Sequence, residues 1–294
     1  MENLPLVSII IPVYQDTERL VKCIEALQKQ TYPKNLLDII VVNNDSGFDI
    51  KDILNDYKNI SLLQESSPGS YSARNKGILF SKGSIIAFTD SDCIPSEQWI
   101  ECGVKGLLSN PNIGIVGGAV NLFFRNKFPS TVELYDSLFF LQQKRYVREY
   151  KIAVTANLFT FKDIFYKIGL YDNNLKSGAD SEWCKRVVTY GYEIIYSDSA
   201  SVRHPARFKL GDLYEKIRRV TGGKFVRDDR IEEKTLLFWI TNFKEISFGL
   251  KRVLKLEDVN LNEKIRLFLL ETSIQMLRGY ELLMLRYGKD TERK

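Results

Sequence analysis

Histidine is nearly absent: His204 is the only one in 294 residues. A multi-histidine metal centre is thereby excluded, and a Ser-His or Cys-His pair would have one available base. Cysteine is scarce as well, and Cys23, Cys93, Cys102 and Cys184 form no C-x-x-C pair. That spacing argues against a zinc cluster or disulfide framework and fits free thiols in a reducing compartment. No apolar run approaches the roughly 18–20 residues that a membrane-spanning helix needs. Met1-Glu2-Asn3-Leu4-Pro5 carries no basic segment and Pro12 interrupts the run Val7–Val13, so a secretory signal is not expected. A Gly-rich phosphate loop is missing between Ile11 and Leu20, which disfavours a nucleotidyltransferase. Internal repeats and low-complexity tracts are missing too.

What is present is an ordinary globular composition, 44% hydrophobic and 27% charged. The length implies one large domain with an appendage, or two domains. Lys and Arg number 42 against 37 Asp and Glu, a net charge of +5. Its distribution is uneven. Residues 1–202 hold 21 basic and 23 acidic side chains, residues 203–227 eight and two, and residues 228–294 thirteen and twelve. The whole surplus therefore falls in one stretch of 25 residues that begins beside His204. Few aromatics are interleaved there and the first 202 residues are net acidic, so nucleic acid is a poor fit as partner.

β-branched runs predict strands at Val7–Ile11 and Asp38–Val42, with further strands at Ile60–Leu63, Ser84–Phe88 and Ile113–Val116. Between the first two, Leu20, Cys23, Ile24 and Leu27 recur at helix spacing. Helices are also predicted at Tyr71–Ser81, Glu97–Ser109 and Thr131–Arg148. This alternation indicates an α/β fold with a mostly parallel sheet flanked by helices. Later come a strand at Val154–Phe161, a helix at Ser181–Tyr190 and a strand at Glu193–Tyr196. Three helices then follow, at Lys209–Thr221, Thr235–Lys255 and Asn262–Tyr287. Gly222-Gly223 and the charged stretch Arg227–Lys234 mark the expected boundary, dividing a catalytic domain, 1–226, from a C-terminal helical extension, 227–294.

Ligands of open α/β sheets bind beyond the carboxyl ends of the strands. Pro12, Tyr14 and Asp16 follow the first strand, Asn43, Asn44, Asp45 and Ser46 the second, and Thr89-Asp90-Ser91-Asp92 the fourth. Two aspartates one residue apart on a tight loop offer hard oxygen ligands that suit Mg²⁺ or Mn²⁺ carrying a diphosphate. The same pattern also occurs in solvated turns, where Asp is a turn former.

These segments together resemble family 2 glycosyltransferases with the GT-A (Rossmann-like) fold. The resemblance runs in order through Val7-Ser8-Ile9-Ile10-Ile11-Pro12-Val13-Tyr14, Ile39-Ile40-Val41-Val42-Asn43-Asn44-Asp45-Ser46, Ser72-Ala73-Arg74-Asn75-Lys76-Gly77, Phe88-Thr89-Asp90-Ser91-Asp92 and Gly178-Ala179-Asp180-Ser181-Glu182-Trp183. It covers about residues 5–205. The resemblance implies that Pro12, Tyr14 and Asp16 frame the nucleoside, such as that of UDP, and that Asn44 and Asp45 read its base. It implies that Arg74 contacts the base or the phosphates, that Asp90 approaches the ribose or the metal, and that Asp92 binds the metal. His204 would complete the metal site or touch the diphosphate, and Asp180 would be the general base toward the acceptor. Glu182 and Trp183 would orient the acceptor or support Asp180.

Plainer roles stay open for several of these residues. Asp16 stands where it could cap the following helix, Arg74 could lie on a solvated helix face, and Asp180 could be an N-cap. Three departures from the family pattern are visible. Ala179 replaces an acid, Asn43-Asn44 replaces a common pair of aspartates, and Cys93 follows the D-x-D as a buried bystander. The segment Leu236–Leu256 could lie on a membrane surface, dock on its own protein or form a homodimer contact. The expected protein is a cytoplasmic inverting glycosyltransferase, soluble or peripheral at the inner face of the cell membrane. It would move sugar from a nucleoside-diphosphate sugar, with Mn²⁺ or Mg²⁺, to a glycan or lipid-linked acceptor in surface-polysaccharide or glycoconjugate assembly. The alternative is a non-catalytic nucleotide-sugar-binding or assembly scaffold with the same fold.

Overall fold

A run of seven residues buried on both faces, Val7–Val13, forms β1, the interior strand expected of a parallel sheet covered on two sides. In the computed structural model, which describes residues 4–291 apart from 46, 48–49, 56, 58, 228–245, 248, 252 and 258, β1 pairs in parallel with β2 (Leu37–Asn43) and with β4 (Ile85–Thr89). β3 (Ile60–Gln64) extends the sheet beyond β2. β5 (Ile94–Pro95), β6 (Ile113–Phe123), β7 (Asn157–Phe161) and β8 (Glu193–Pro205) complete an eight-stranded sheet in the order β3-β2-β1-β4-β7-β6-β8-β5. β7 runs antiparallel to β4 and β6, β5 runs antiparallel to β8, and the other pairings are parallel.

The helices α1 (Thr17–Gln28), α2 (Lys51–Leu54), α3 (Ser70–Phe80) and α4 (Trp99–Leu108) fill the crossovers of the first half. α1 buries the predicted stripe Leu20, Cys23, Ile24 and Leu27. α5 (Thr131–Phe139), α6 (Gln143–Tyr150), α7 (Lys162–Ile168), α8 (Ala179–Thr189), α9 (Leu210–Arg227) and α10 (Leu261–Arg286) follow. The chain divides into two compact units. The first is Met1–Phe123, Leu141–Asn173 and Ala179–Pro205, with a core built on the sheet. The second is Phe124–Phe140, Asn174–Gly178 and Ala206–Lys294, with its own core of Tyr135, Phe140, Leu213, Ile217, Val253, Leu267 and Ile274.

A buried amide fixes the second half of the sheet. Asn157 on β7 donates to the carbonyls of Ala119 and Ala200, both at 2.8 Å, and accepts from Trp99 Nε1 at 2.8 Å. Gly118 makes room for it, since a Cβ there would lie 2.1 Å from the Ala200 carbonyl oxygen and 2.5 Å from the Asn157 amide. The β6–β8 register shifts at this point and then carries Leu122 opposite His204.

Two expectations are corrected. The helix predicted over Thr131–Arg148 is two helices, interrupted where Leu141 adopts a left-handed φ of 51°. Phe140 belongs to the core of the second unit, whereas Gln143 is bound in the first, donating to the Asn157 carbonyl at 2.8 Å and accepting from the Val154 amide at 2.9 Å. Gly222-Gly223 is not a break but part of α9. A Cβ at Gly223 would sit 2.6 Å from the Ser177 carbonyl oxygen, so the glycine permits close backbone approach rather than a turn. β6 and β8 run on past their predicted ends to Phe123 and Pro205, and β5, α2 and α7 are additional. The helix expected at Thr235–Lys255, the segment Leu236–Leu256 and the boundary stretch Arg227–Lys234 lie largely outside the described residues.

Candidate active site

The register Val13↔Asn43 and Ile10↔Phe88 brings the ends of β1, β2 and β4 out at one edge of the sheet. Pro12 is buried within β1 opposite Val42, and Tyr14 leaves the strand half-exposed. Asp16 holds the N-cap position of α1 but makes no side-chain cap hydrogen bond. Its carboxylate instead pairs with Arg19 Nε at 2.7 Å.

Arg19 also reaches the D-x-D loop, with Nη1 3.4 Å from Asp92 Oδ2. The other oxygen, Asp92 Oδ1, is buried without a hydrogen-bond partner among the described residues and lies 3.5 Å from His204 Nε2. His204 is 5% exposed, and its Nδ1 is 2.8 Å from the Pro205 carbonyl oxygen. A carbonyl can only accept, so Nδ1 donates to it and Nε2 is the ring nitrogen turned toward Asp92. A cation placed between Nε2 and Asp92 Oδ1 would find a donor atom on each side. Cys93 Sγ lies in the same cluster, within 4.8 Å of both ligand atoms. Burial, followed by the charges of Asp92 and Asp90, pushes the Cys93 thiol well above its ordinary range, and it donates to the Ala156 carbonyl. It is therefore a thiol in the metal-free protein. Asp92 and His204, a hard oxygen and an imidazole, could together hold a divalent ion such as Mn²⁺, with Cys93 Sγ beside them.

On the facing side, Arg74 of α3 is buried, which excludes the solvated-face reading. Its Nη2 donates to Asp90 Oδ1, and its guanidinium carbon lies 5.6 Å from the centre of the Tyr71 ring. The Tyr71 hydroxyl donates in turn to Asp180 Oδ1 at 3.2 Å. Burial and the neighbouring Asp180 carboxylate push the Tyr71 hydroxyl far up, so it stays protonated as a donor. Asp180 sits in the first turn of α8 rather than at its cap, and Oδ1 also accepts from the Ser181 amide at 2.8 Å. An unbroken chain of contacts therefore joins Asp180, through Tyr71 and Arg74, to the D-x-D loop.

The remaining predicted residues tie down the surrounding loops and helix α8. Asn44 accepts from the Gly69 amide at 2.7 Å and donates to the carbonyls of Glu65 and Ser67 at 2.9 and 2.8 Å, so its amide ties down the loop that leads into α3. Asp45 accepts from Gln15 Nε2 at 2.7 Å and from the Gly47 amide at 2.9 Å. Both Glu182 oxygens are held by Arg186, at 2.7 and 2.9 Å, and Arg186 also donates to the carbonyls of Ile168 and Leu170. Trp183 is fully buried, stacked on Phe165 with ring centres 4.3 Å apart, and donates to the Gly169 carbonyl at 2.9 Å. Glu182 and Trp183 thus fasten α8 beneath Asp180. Ala179 is fully buried beside them. Tyr71 and Arg19 were not singled out by sequence reading. The one signal available was the i, i+3 spacing of Asp16 and Arg19.

Residues 8–169 match glycosyl transferase family 2. Glycosyltransferase AglE of Haloferax volcanii is 39% identical over 227 residues, spanning 76% of this chain and 74% of that protein. Probable glycosyltransferase YdaM of Bacillus subtilis is 28% identical over 214 residues, and the match spans 68% of this chain but half of YdaM. Among solved structures, mannosyltransferase PcManGT of Pyrobaculum calidifontis, in complex with GDP-Man and Mn²⁺, superposes with a TM-score of 0.60 at 16% identity, covering 98% of this chain and 77% of that one. No helix among the described residues is long and apolar enough to cross a membrane. With the motif order, the sheet topology and these relatives in agreement, the chain belongs to glycosyl transferase family 2 and is a glycosyltransferase with the GT-A fold.

Proposed function

We propose that the protein is an inverting, divalent-metal-dependent glycosyltransferase that takes sugar from a nucleoside-diphosphate donor, with Asp180 as general base. The observation that carries this reading is the contact chain Asp180–Tyr71–Arg74–Asp90, which links a carboxylate on α8 to the D-x-D loop. Asp92 and His204 would hold Mn²⁺ or Mg²⁺, which when bound neutralises charge growing on the leaving diphosphate. PcManGT, which carries GDP-Man and Mn²⁺, lends support to a nucleotide-sugar donor and to manganese.

The chain's own residues then have separable roles. Asp180 takes the proton of the acceptor hydroxyl as its oxygen forms a bond to the anomeric carbon. The bond from that carbon to the diphosphate oxygen breaks on the opposite face, which inverts the configuration. Tyr71 and the Ser181 amide occupy Asp180 Oδ1, leaving Oδ2 for the acceptor proton. Arg74 is held by Asp90 with its Nε buried and without a partner among the described residues, a donor available to a phosphate or ribose oxygen. The acceptor class, a glycan or lipid-linked hydroxyl in surface-polysaccharide or glycoconjugate assembly, rests on family membership.

The protein assayed against a panel of nucleotide sugars with Mn²⁺ or Mg²⁺ tests this directly. Asp180→Asn is expected to reduce kcat by about 10²–10⁴, the usual share of general base catalysis, while donor binding persists. Asp92→Ala is expected to abolish metal-dependent donor binding. Wild-type turnover in Asp180→Asn would remove the base assignment. Failure of every nucleotide sugar to bind in the presence of either ion would remove the donor reading.

A further inference from the structure

Arg19 has no part in the proposed transfer, although it lies between Asp16 and Asp92. Its guanidinium bridges two carboxylates, with Nε 2.7 Å from Asp16 Oδ2 and Nη1 3.4 Å from Asp92 Oδ2. Those contacts engage one oxygen of Asp92, while the other faces His204 Nε2 at 3.5 Å and has no hydrogen bond among the described residues. The side chain is half-exposed, at 51%, and sits on the first turn of α1, outside the buried stripe of that helix. A guanidinium is a fork suited to carboxylate and to diphosphate alike.

We propose that Arg19 is a coupling residue: it opposes the metal at Asp92 in the free enzyme and transfers to the donor diphosphate once the nucleotide arrives. The inference rests on the reading of Asp92 as a metal ligand. The physical reason is charge. A cation held against Asp92 in the free enzyme raises the potential at the point where a divalent ion would sit, so metal alone binds weakly. The diphosphate offers Arg19 a second anionic partner, and moving there relieves the conflict. Metal and nucleotide then favour each other's binding, and by linkage each strengthens the other by the same factor. Asp16 sets the geometry by keeping the guanidinium close to the loop.

The test is Mn²⁺ binding, read by electron paramagnetic resonance of the free ion, with and without GDP or UDP. Wild type, Arg19→Gln, Arg19→Lys and Asp92→Asn would be compared, with circular dichroism as a check on folding. Without nucleotide, Arg19→Gln is expected to bind Mn²⁺ about tenfold more tightly, the scale of one unit charge acting on a divalent ion across a part-exposed site. Arg19→Lys, which keeps the charge, is expected to stay near wild type. With nucleotide, the gain in Mn²⁺ affinity is expected to shrink by a similar factor in Arg19→Gln. Unchanged or weaker Mn²⁺ binding by Arg19→Gln alone would overturn the proposal, provided Asp92→Asn has lost the ion. If Asp92→Asn binds Mn²⁺ like wild type, or no form binds it, Asp92 as ligand is what fails.

Discussion

Tyr71 shows how much of the site depends on single contacts. Its hydroxyl is held in the protonated form by burial and by the Asp180 carboxylate, so it donates across the working pH range. Tyr71→Phe is therefore expected to lower kcat about tenfold with donor binding retained, the worth of one hydrogen bond to a charged group. A Tyr71 that merely filled space would lower stability and leave kcat of the folded protein where it was. The residues with local signatures were legible from sequence. Asp90, Asp92, Arg74 and Asp180 stand in short patterns whose spacing survives in the fold. Arg19 and Tyr71 were not, because their partners Asp92 and Asp180 lie 73 and 109 positions away and only folding brings them together. His204 was legible as the only histidine, but its aim at Asp92 is set by the β6–β8 register shift at Gly118.

Among the elements, the interior strands were the easiest to read, since β1, β2 and β4 are β-branched and buried on both faces. Helix continuity was harder. The stop at Phe140-Leu141 follows from Phe140 and Gln143 being claimed by different cores, and Gly222-Gly223 reads as a break unless Ser177 is known to press against it. α5 and α9 share a further feature that composition conceals. Asp136 of α5 is fully buried, accepting from the Arg207 amide at 3.0 Å and pairing with Arg207 Nη1 at 3.2 Å and Lys216 Nζ at 3.4 Å. Burial opposes its charge, but Lys216 and Arg207 outweigh that and hold the carboxyl below its usual range. Asp136→Asn leaves two cations in a buried place, at an expected cost of about 3–5 kcal/mol in stability. Lys216→Met in the same background is expected to restore part of it, since burial and Arg207 already push the Lys216 ammonium well below its ordinary pKa. The sign with pH follows. A depressed carboxyl lends stability above its unfolded pKa and loses it as pH falls through the folded value. Melting curves from neutral pH into the acid range should thus decline in wild type and flatten in Asp136→Asn.

At the scale of the whole molecule, the basic stretch at residues 203–227 is partly an internal structure. Arg207 and Lys216 converge on Asp136, Arg203 lies over the Phe123 ring, and Arg227 donates to the carbonyls of Gly223 and Gly178. The second unit is assembled from three separated stretches of chain, which no local pattern announces. Its core makes a specific demand on α10. Leu267 and Ile274 of that helix are fully buried against Tyr135, Leu213 and Ile217, and Glu271 accepts from the Tyr135 hydroxyl. A chain ending at Val226 keeps α5 and most of α9 but uncovers their apolar faces. Each lost burial of a large side chain forfeits about 1.5–3 kcal/mol, and several are lost at once. Such a chain is expected to bind a hydrophobic dye, to self-associate and to lose the cooperative melt of the full protein. Were it instead monomeric, free of bound dye and as heat-resistant as the whole chain, α10 would be an appendage rather than part of this core. The buried Glu281, paired with Lys289 at 2.9 Å at the far end of the same helix, argues that the core extends along its full length. Shortening the chain to Gly288 should therefore cost stability on its own, because it removes the Lys289 ammonium paired with a buried carboxylate.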